Sequence, residues 1–429
     1  MIPLTRTILC LILALAVASM SLSATEDKTP PDEKLIEQLG SSDFAQRERA
    51  ARMLQARGPA ALPALRKAKS HRDAEVRRRV LVMIPILETA AALKPKRVTL
   101  GREPRTLSAI LQEIEKQTGY RIDREDKEDE RYFRIEMKGV SFWEAVERIG
   151  RETGRVVDVS AGEKELGLNL SEARSPHVAL SGPFRMELQT IHEDRDIDFT
   201  RPGKGKEAGQ RSHQMTLTIS ILAEPRIIFL SAGRASVLSA TDEDGKLMRP
   251  LAPQVPEHFH IFAESRGKQF EEKSKLSLGR ISEMARKIKV LRGTIPVQVV
   301  VERKCIALTE NVLKAKGAKC RLHKGPLVIT KVGQEDNGDL NIHVAVPVEP
   351  EGIRRQWFDR IYLEDAKGHH YKTLNWNISN SGGSPTEVIA LTYNFSKDPK
   401  VVPPSKLVVE DWTILNYAIP FEFKDVPLP

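Results

Sequence analysis

This sequence repeats itself on three length scales, and that repetition constrains its fold more than any single residue does. A helical unit of about 30 residues recurs near the start, a strand–helix unit of 35 follows, and a unit of roughly 110 fills the C-terminal half. Repeated units are modules that cover one another's apolar faces, so most distinctive positions in such a chain serve packing. At 429 residues, with 40% hydrophobic and 29% charged side chains, there is material for three or four packed domains. The expectation is a multidomain α+β protein.

Residues 1–24 point to a compartment. Arg6 precedes the apolar run Ile8–Val17, and small residues follow in Ala16-Val17-Ala18-Ser19 and near Ser21-Leu22-Ser23-Ala24. That is the layout of a secretory signal peptide, with an apolar stretch too short to span a bilayer comfortably. The protein is therefore expected to be exported, periplasmic or in the cell envelope, with no membrane span after signal cleavage. Cys305 and Cys320 are the two cysteines beyond that segment. In an oxidising compartment they can form one disulfide, and the alternative is two thiols. The net charge of +9 is moderate for this length. Arg77-Arg78-Arg79 has no aromatic platform beside it and reads as a solvated helix face, so no nucleic-acid partner is expected.

Residues 32–93 read as a short helical stack. A shift of 30 carries Asp43 to Asp73, Arg47 to Arg77, Ala50 to Val80 and Leu54 to Ile84. Each Asp suits a helix N-cap, Gly58 suits a helix end, and Pro59 suits the start of the next helix, where Leu62 and Leu65 give an apolar face. These residues resemble HEAT repeats. Two units are fewer than a free-standing solenoid needs.

Residues 96–160 carry the clearest internal match, TLSAILQEIEKQTGYRI against SFWEAVERIGRETGRVV. A shift of 35 pairs Leu107 with Phe142, Leu111 with Val146, Ile114 with Ile149, and Gly119 with Gly154. Leu107, Ile110, Leu111 and Ile114 share a helical face, and each Gly stands where a helix ends in a left-handed residue. With short strands at Val98–Leu100, Tyr120–Ile122, Phe133–Met137 and Arg155–Val159, the order is β-α-β-β-α-β. This pattern resembles the short N-terminal domains of secretins and TonB-dependent receptors. That resemblance implies protein–protein contact in the envelope and carries no catalytic residue. Trp143 reads as core.

Beyond residue 166 the apolar residues alternate. Leu217, Ile219 and Ile221 face one way in one strand, and Leu340, Ile342 and Val344 in another. Landmarks recur in order: Gly182-Pro183 and Gly325-Pro326, the turns at Asp244-Gly245 and Ala366-Lys367-Gly368, and Pro296 and Pro420 in closing strands. Two antiparallel β-sandwich domains of related, immunoglobulin-like topology are expected, at 166–304 and 325–429, with Leu278–Leu291 as a helical connection. The whole order resembles exported multidomain proteins of Planctomycetes, on the segments LSGPFRMELQTI, LAEPRIIFLSA and FEFKDVPLP.

Candidate sites are sparse. His258 and His260 flank Phe259 and share a strand face, with Glu257 or Glu264 as nearby candidates for a metal site, although surface histidines are the simpler reading. Asp194, Asp196 and Asp198 have alternating spacing, but the Gly and closing Glu of a calcium loop are missing, which favours a polar strand edge. Ser379-Asn380-Ser381-Gly382-Gly383 lacks the order of a nucleophile elbow. No catalytic, cofactor-binding or metal-binding residue is assigned and no cofactor is expected. The expectation is an exported, non-catalytic adaptor or scaffold of the cell envelope, with unidentified envelope proteins as partners. The alternatives are a cell-wall carbohydrate binder using Trp357, Trp376 and Trp412, and an envelope hydrolase using dispersed acids such as Asp359 or Asp411.

Overall fold

The computed structural model describes residues 30–123, 129–159, 166–170, 175–200, 210–250, 271–279, 285–335, 339–349, 357–371, 373–379, 385–394 and 404–429. The chain forms two compact units, Met1–Ala91 and Ala92–Pro429. Residues 1–24, expected from the sequence to be a signal peptide, lie outside the described residues. Among the described residues, no helix is long and apolar enough to cross a membrane.

The first unit is helical, with α1 (Asp32–Gln38), α2 (Phe44–Arg57), a 3-10 turn (Gly58–Ala61), α3 (Leu62–Lys67) and α4 (Ala74–Ala92). Leu35, Leu39, Leu54, Leu65, Val80 and Ile84 close its core. The 30-residue period recurs in the hydrogen bonds. Asp43 accepts from the Ala45 amide at 2.9 Å, and Asp73 from that of Glu75 at 2.7 Å. Arg47 donates to the Ser41 and Ser42 carbonyls, and Arg77 donates to those of His71 and Arg72. In each unit the Asp therefore caps the helix while the Arg closes the preceding turn. Pro59 sits in the 3-10 turn, so α3 starts later than expected, at Leu62. Arg78 and Arg79 both pair with Glu75, whose carboxyl these hydrogen bonds lower to about 2.

The second unit opens with an α/β part. Its elements are β1 (Arg97–Leu100), β2 (Arg105–Thr106), α5 (Leu107–Thr118), β3 (Ile122–Asp123), β4 (Tyr132–Phe133), β5 (Met137–Ser141), α6 (Phe142–Thr153), β6 (Arg155–Val159) and β7 (Leu166–Leu170). The helices are matched at both ends: Thr106 and Ser141 cap their starts, and Gly119 and Gly154 end them at φ +77° and +70°. The strands form three small ladders, β1–β5, β2–β4 and β3–β7–β6. Trp143 and Phe142 are buried in the shared core, as expected.

The β region continues with β8 (Val178–Ser181), β9 (Phe184–Asp198), β10 (Gln210–Ala223), β11 (Ile228–Ala232), β12 (Ser236–Asp242), β13 (Arg249–Pro250), β14 (Glu271–Gly279) and β15 (Lys287–Thr309). It then runs through β16 (Lys319–Leu322), β17 (Gly325–Gln334), β18 (Leu340–Pro347), α7 (Trp357–Arg360), β19 (Ile361–Glu364), β20 (His370–Tyr371), β21 (Asn375–Ser379), β22 (Thr386–Tyr393) and β23 (Lys406–Pro427). One five-stranded sheet has the order β13-β14-β10-β9-β8 and the other β21-β22-β18-β17-β16, the same order element by element. The expected turns are also the same structure twice. Asp242 accepts from the amides of Asp244 and Lys246, and Asp365 from those of Lys367 and His369. Gly245 and Gly368 follow at φ +80° and +83°, values that an L-residue adopts poorly.

The halves are not independent, however. A six-stranded sheet, β11-β15-β23-β19-β20 with β12 also on β15, runs across both. β15 and β23 pair from Lys287–Pro427 to Thr309–Leu407, a ladder about 70 Å long at the rise of an extended strand. The expected boundary at 304 falls inside β15. Along this ladder Ile295 lies opposite Ile419, with Pro296 and Pro420 flanking that pair on opposite strands, so the repeated Ile-Pro pairs face each other across a local twofold. Ile288, Leu291, Ile295, Ile419, Phe421 and Phe423 close the first core against β9, β10 and β14. Leu407 and Val409, with Ile306 and Leu308 packed alongside, close the second against β17, β18 and β22. The helix expected over Leu278–Leu291 is absent: β14 runs to Gly279 and β15 starts at Lys287, with 280–284 outside the described residues. Leu278 and Ile288 belong to an apolar pattern with helical spacing, but ladder pairing with β10 and β23 overrides it at both.

Candidate functional site

A set of buried charges joins the α/β part to the first half of the β region. Trp143 on α6 donates its Nε1–H to the Pro183 carbonyl at 3.0 Å, in the turn between β8 and β9. Two residues on, Arg185 donates from Nε to Glu147 at 2.6 Å and also pairs with Glu187 at 2.7 Å. Glu147 lies one helical turn after Trp143, so a single face of α6 supplies both contacts. On the other side of the turn, Glu224 follows β10 and is wholly buried. It accepts from the Tyr120 hydroxyl at 2.9 Å and from the Lys96 amide at 3.0 Å. Arg226 reaches the Ala92 and Lys94 carbonyls. Burial pushes the Glu224 carboxyl up, while its Tyr120 and Arg226 partners pull it down. Burial, with the Glu224 charge adding to it, also raises the Tyr120 hydroxyl.

Beside this seam lies a cleft of about 80 Å³, lined among others by Glu147, Gly150, Arg155, Ser175, Arg185 and Glu187. Arg155 is buried and pairs with Asp129 at 3.0 Å. A space this size holds a few water molecules, far less than the 300 Å³ or more typical of a small-molecule site. Its charged walls engage one another and tie the parts of the chain together.

A second polar cluster lies in the other half. Arg360 is buried with its guanidinium 3.7 Å from the ring centre of Trp357 and 5.0 Å from that of Trp412. It donates to Glu349 at 3.1 Å and to the Glu410 carbonyl at 3.0 Å. Burial lowers the Arg360 pKa against the opposing pull of Glu349. Trp357 and Trp412 are therefore core residues enclosing an arginine, which leaves the alternative sugar-binding reading without two of its three rings. Trp376 alone is accessible, 38% exposed and stacked on Phe358 at 5.1 Å.

The other sequence candidates do not converge. Asp359 is exposed on α7, and Asp411 accepts from the His323 amide at 2.9 Å. Asp194 and Asp196 are exposed on β9, a strand and not a loop, and Asp194 contacts His192. Asp198 ends that strand. Ser379 ends β21, while 380–384 lie outside the described residues, as do Glu257, His258, His260 and Glu264. Among the described residues no three His, Cys, Asp or Glu side chains gather as a metal site. Cys305 and Cys320 are free thiols in this structure. Cys305 faces Glu410 in the long β15–β23 ladder, and Cys320 faces Leu327 in a different sheet. Burial pushes the Cys320 thiol up to about 11. Sequence reading missed Glu224, Arg185 and Arg360. The usable signal was a Glu-Pro after the last apolar residue of a strand, present at Glu224-Pro225 and again at Glu349-Pro350.

No protein-family model matches the chain, and no curated protein matches it. A solved structure described as "the conserved domain protein from Bacillus anthracis" is 10% identical, over 56% of this chain and 89% of its own. Its TM-score of 0.16 carries no argument about fold or function.

Proposed function

We propose that this protein is an exported scaffold of the cell envelope that holds partner proteins in place without covalent chemistry. The observation that supports this reading most is the use of its buried charge. Glu147, Arg185 and Glu224 join the α/β part to the β region, and Glu349 and Arg360 brace the second half. A chain built this way presents several surfaces at fixed separation, as a scaffold requires. The small α/β part, which resembles the secretin and TonB-receptor modules, would serve as one such surface. Export rests on the residues at 6–24, and the resemblance to exported Planctomycetes proteins agrees with it.

The full chain, immobilised and exposed to envelope extract of its own organism, is expected to retain the same protein partner in repeated captures. Repeated captures without a partner, or turnover of an envelope polymer by the purified chain, would defeat the reading. Fractionation tests the location separately, and recovery of the chain uncleaved in the cytoplasm would remove the export part.

A further inference from the structure

We propose that β21 is a homodimerisation edge, on which a second copy of this chain adds its own β21 antiparallel to form one sheet across two molecules. This inference is independent of the scaffold reading. Among the described residues β21 has one strand neighbour, β22, so its other side ends the sheet. A free edge offers a row of unpaired amides and carbonyls, and proteins ordinarily blunt such edges with charge, proline or shortness.

The other outer strands of the two five-stranded sheets show that blunting. β13, which occupies the equivalent place in the first half, is two residues long and ends in Pro250. β16 carries Lys319 and Arg321, and β8 has four residues. β21 is Asn375-Trp376-Asn377-Ile378-Ser379, five residues with neither charge nor proline, four of them exposed.

The same five residues are complementary to themselves. Antiparallel pairing centred on Asn377 sets Asn377 against its own copy, Asn375 against Ser379, and Trp376 against Ile378 twice. Trp376 and Ile378 share the inner face: Trp376 stacks on Phe358, and Ile378 packs against the second core. An aromatic ring opposite a β-branched side chain is a favourable cross-strand pair, and the twofold supplies it twice. With no charge in the strand, no like charges meet across the axis. A partner of strong charge would gain nothing from this edge, whereas a second copy is matched at every position.

The test is the mass of the full chain by sedimentation and light scattering, up to about 100 μM, well above the micromolar range of modest interfaces. The expected result is a concentration-dependent dimer. Asn377→Lys places two ammonium groups face to face and is expected to weaken the dimer at least about tenfold, as is Asn377→Glu with two carboxylates. Asn377 is exposed, so both variants should keep the thermal unfolding profile of the parent. Mixing the two variants should restore a dimer that contains one chain of each. A parent that stays monomeric, a dimer indifferent to both substitutions, or a mixture that fails to associate overturns the proposal. So does a monomer that captures a different protein through this edge.

Discussion

The two halves of the β region share a strand order and a turn, yet they use their buried carboxylates differently. After β10, Glu224 reaches out of its own half to Tyr120 and to the Lys96 amide, and so holds the α/β part. After β18, Glu349 turns inward to Arg360, which two tryptophans enclose. The backbone architecture was kept, while the buried charge became a dock in one copy and an internal brace in the other. Repetition in this chain thus marks where the backbone goes, and departures from it mark where a half acquired its own task.

Trp143→Ala should give the largest effect on that contrast. Removing a buried indole and its bond to Pro183 is expected to cost about 3–5 kcal/mol, read as a fall in urea midpoint. The loss should appear first in probes of the α/β part. If probes of both halves shift together, the first half is not a separable dock. Arg360→Ala comes next, because it leaves Glu349 in the interior with only Lys324, 4.0 Å away, at a cost of about 3 kcal/mol. Arg360→Met, which fills the space between the rings, should recover little while Glu349 remains. The double variant Arg360→Met with Glu349→Leu should recover most of the loss.

Glu272 gives a pH-dependent prediction confined to the first half. Burial raises its carboxyl from 4.5 to about 7. The folded state therefore holds a proton that the unfolded chain releases above pH 4.5. This contribution falls as the pH rises from about 4.5 to 7 and is constant above that. Glu272→Gln should accordingly stabilise by up to about 3 kcal/mol at pH 8 and hardly at all at pH 4. Equal gains at both pH values would show that burial does not raise the carboxyl in the folded state. Asp242→Ala and Asp365→Ala should give the smallest effect. Each loses two amide contacts in matched turns, worth about 1–2 kcal/mol, and Asp365 loses its His369 contact as well, so its cost should be slightly the larger. A clearly larger cost at Asp242 would mean that the turns are alike in outline only.

Much of this architecture was legible because it is local. Asp43 and Asp73 are caps, Gly119 and Gly154 are helix ends, and Gly245 and Gly368 are turn residues for reasons contained in a few neighbouring positions. Alternation correctly placed Leu217, Ile219 and Ile221 in one core and Leu340, Ile342 and Val344 in another. What escaped is long-range. Nothing near Cys305 says that it faces Glu410, and nothing near Trp357 says that Arg360 sits between it and Trp412. Leu278–Leu291 was misread because its apolar spacing suits a helix, and only pairing with distant strands settles the matter. For the same reason the sequence, which leaves the three tryptophans of the second half between core and platform, does not say that two of them enclose a cation.

The long β15–β23 ladder also sets a timetable. Phe184, Leu217 and Ala240 belong to a core whose closing residues, Ile419, Phe421 and Phe423, are encoded far downstream. At ordinary ribosomal speed that gap is roughly 10 to 40 s, during which the first core has the cover that β15 supplies but not the part that β23 supplies. The first core is thus complete only once β23 has been made, about 120 residues after the cover that β15 supplies.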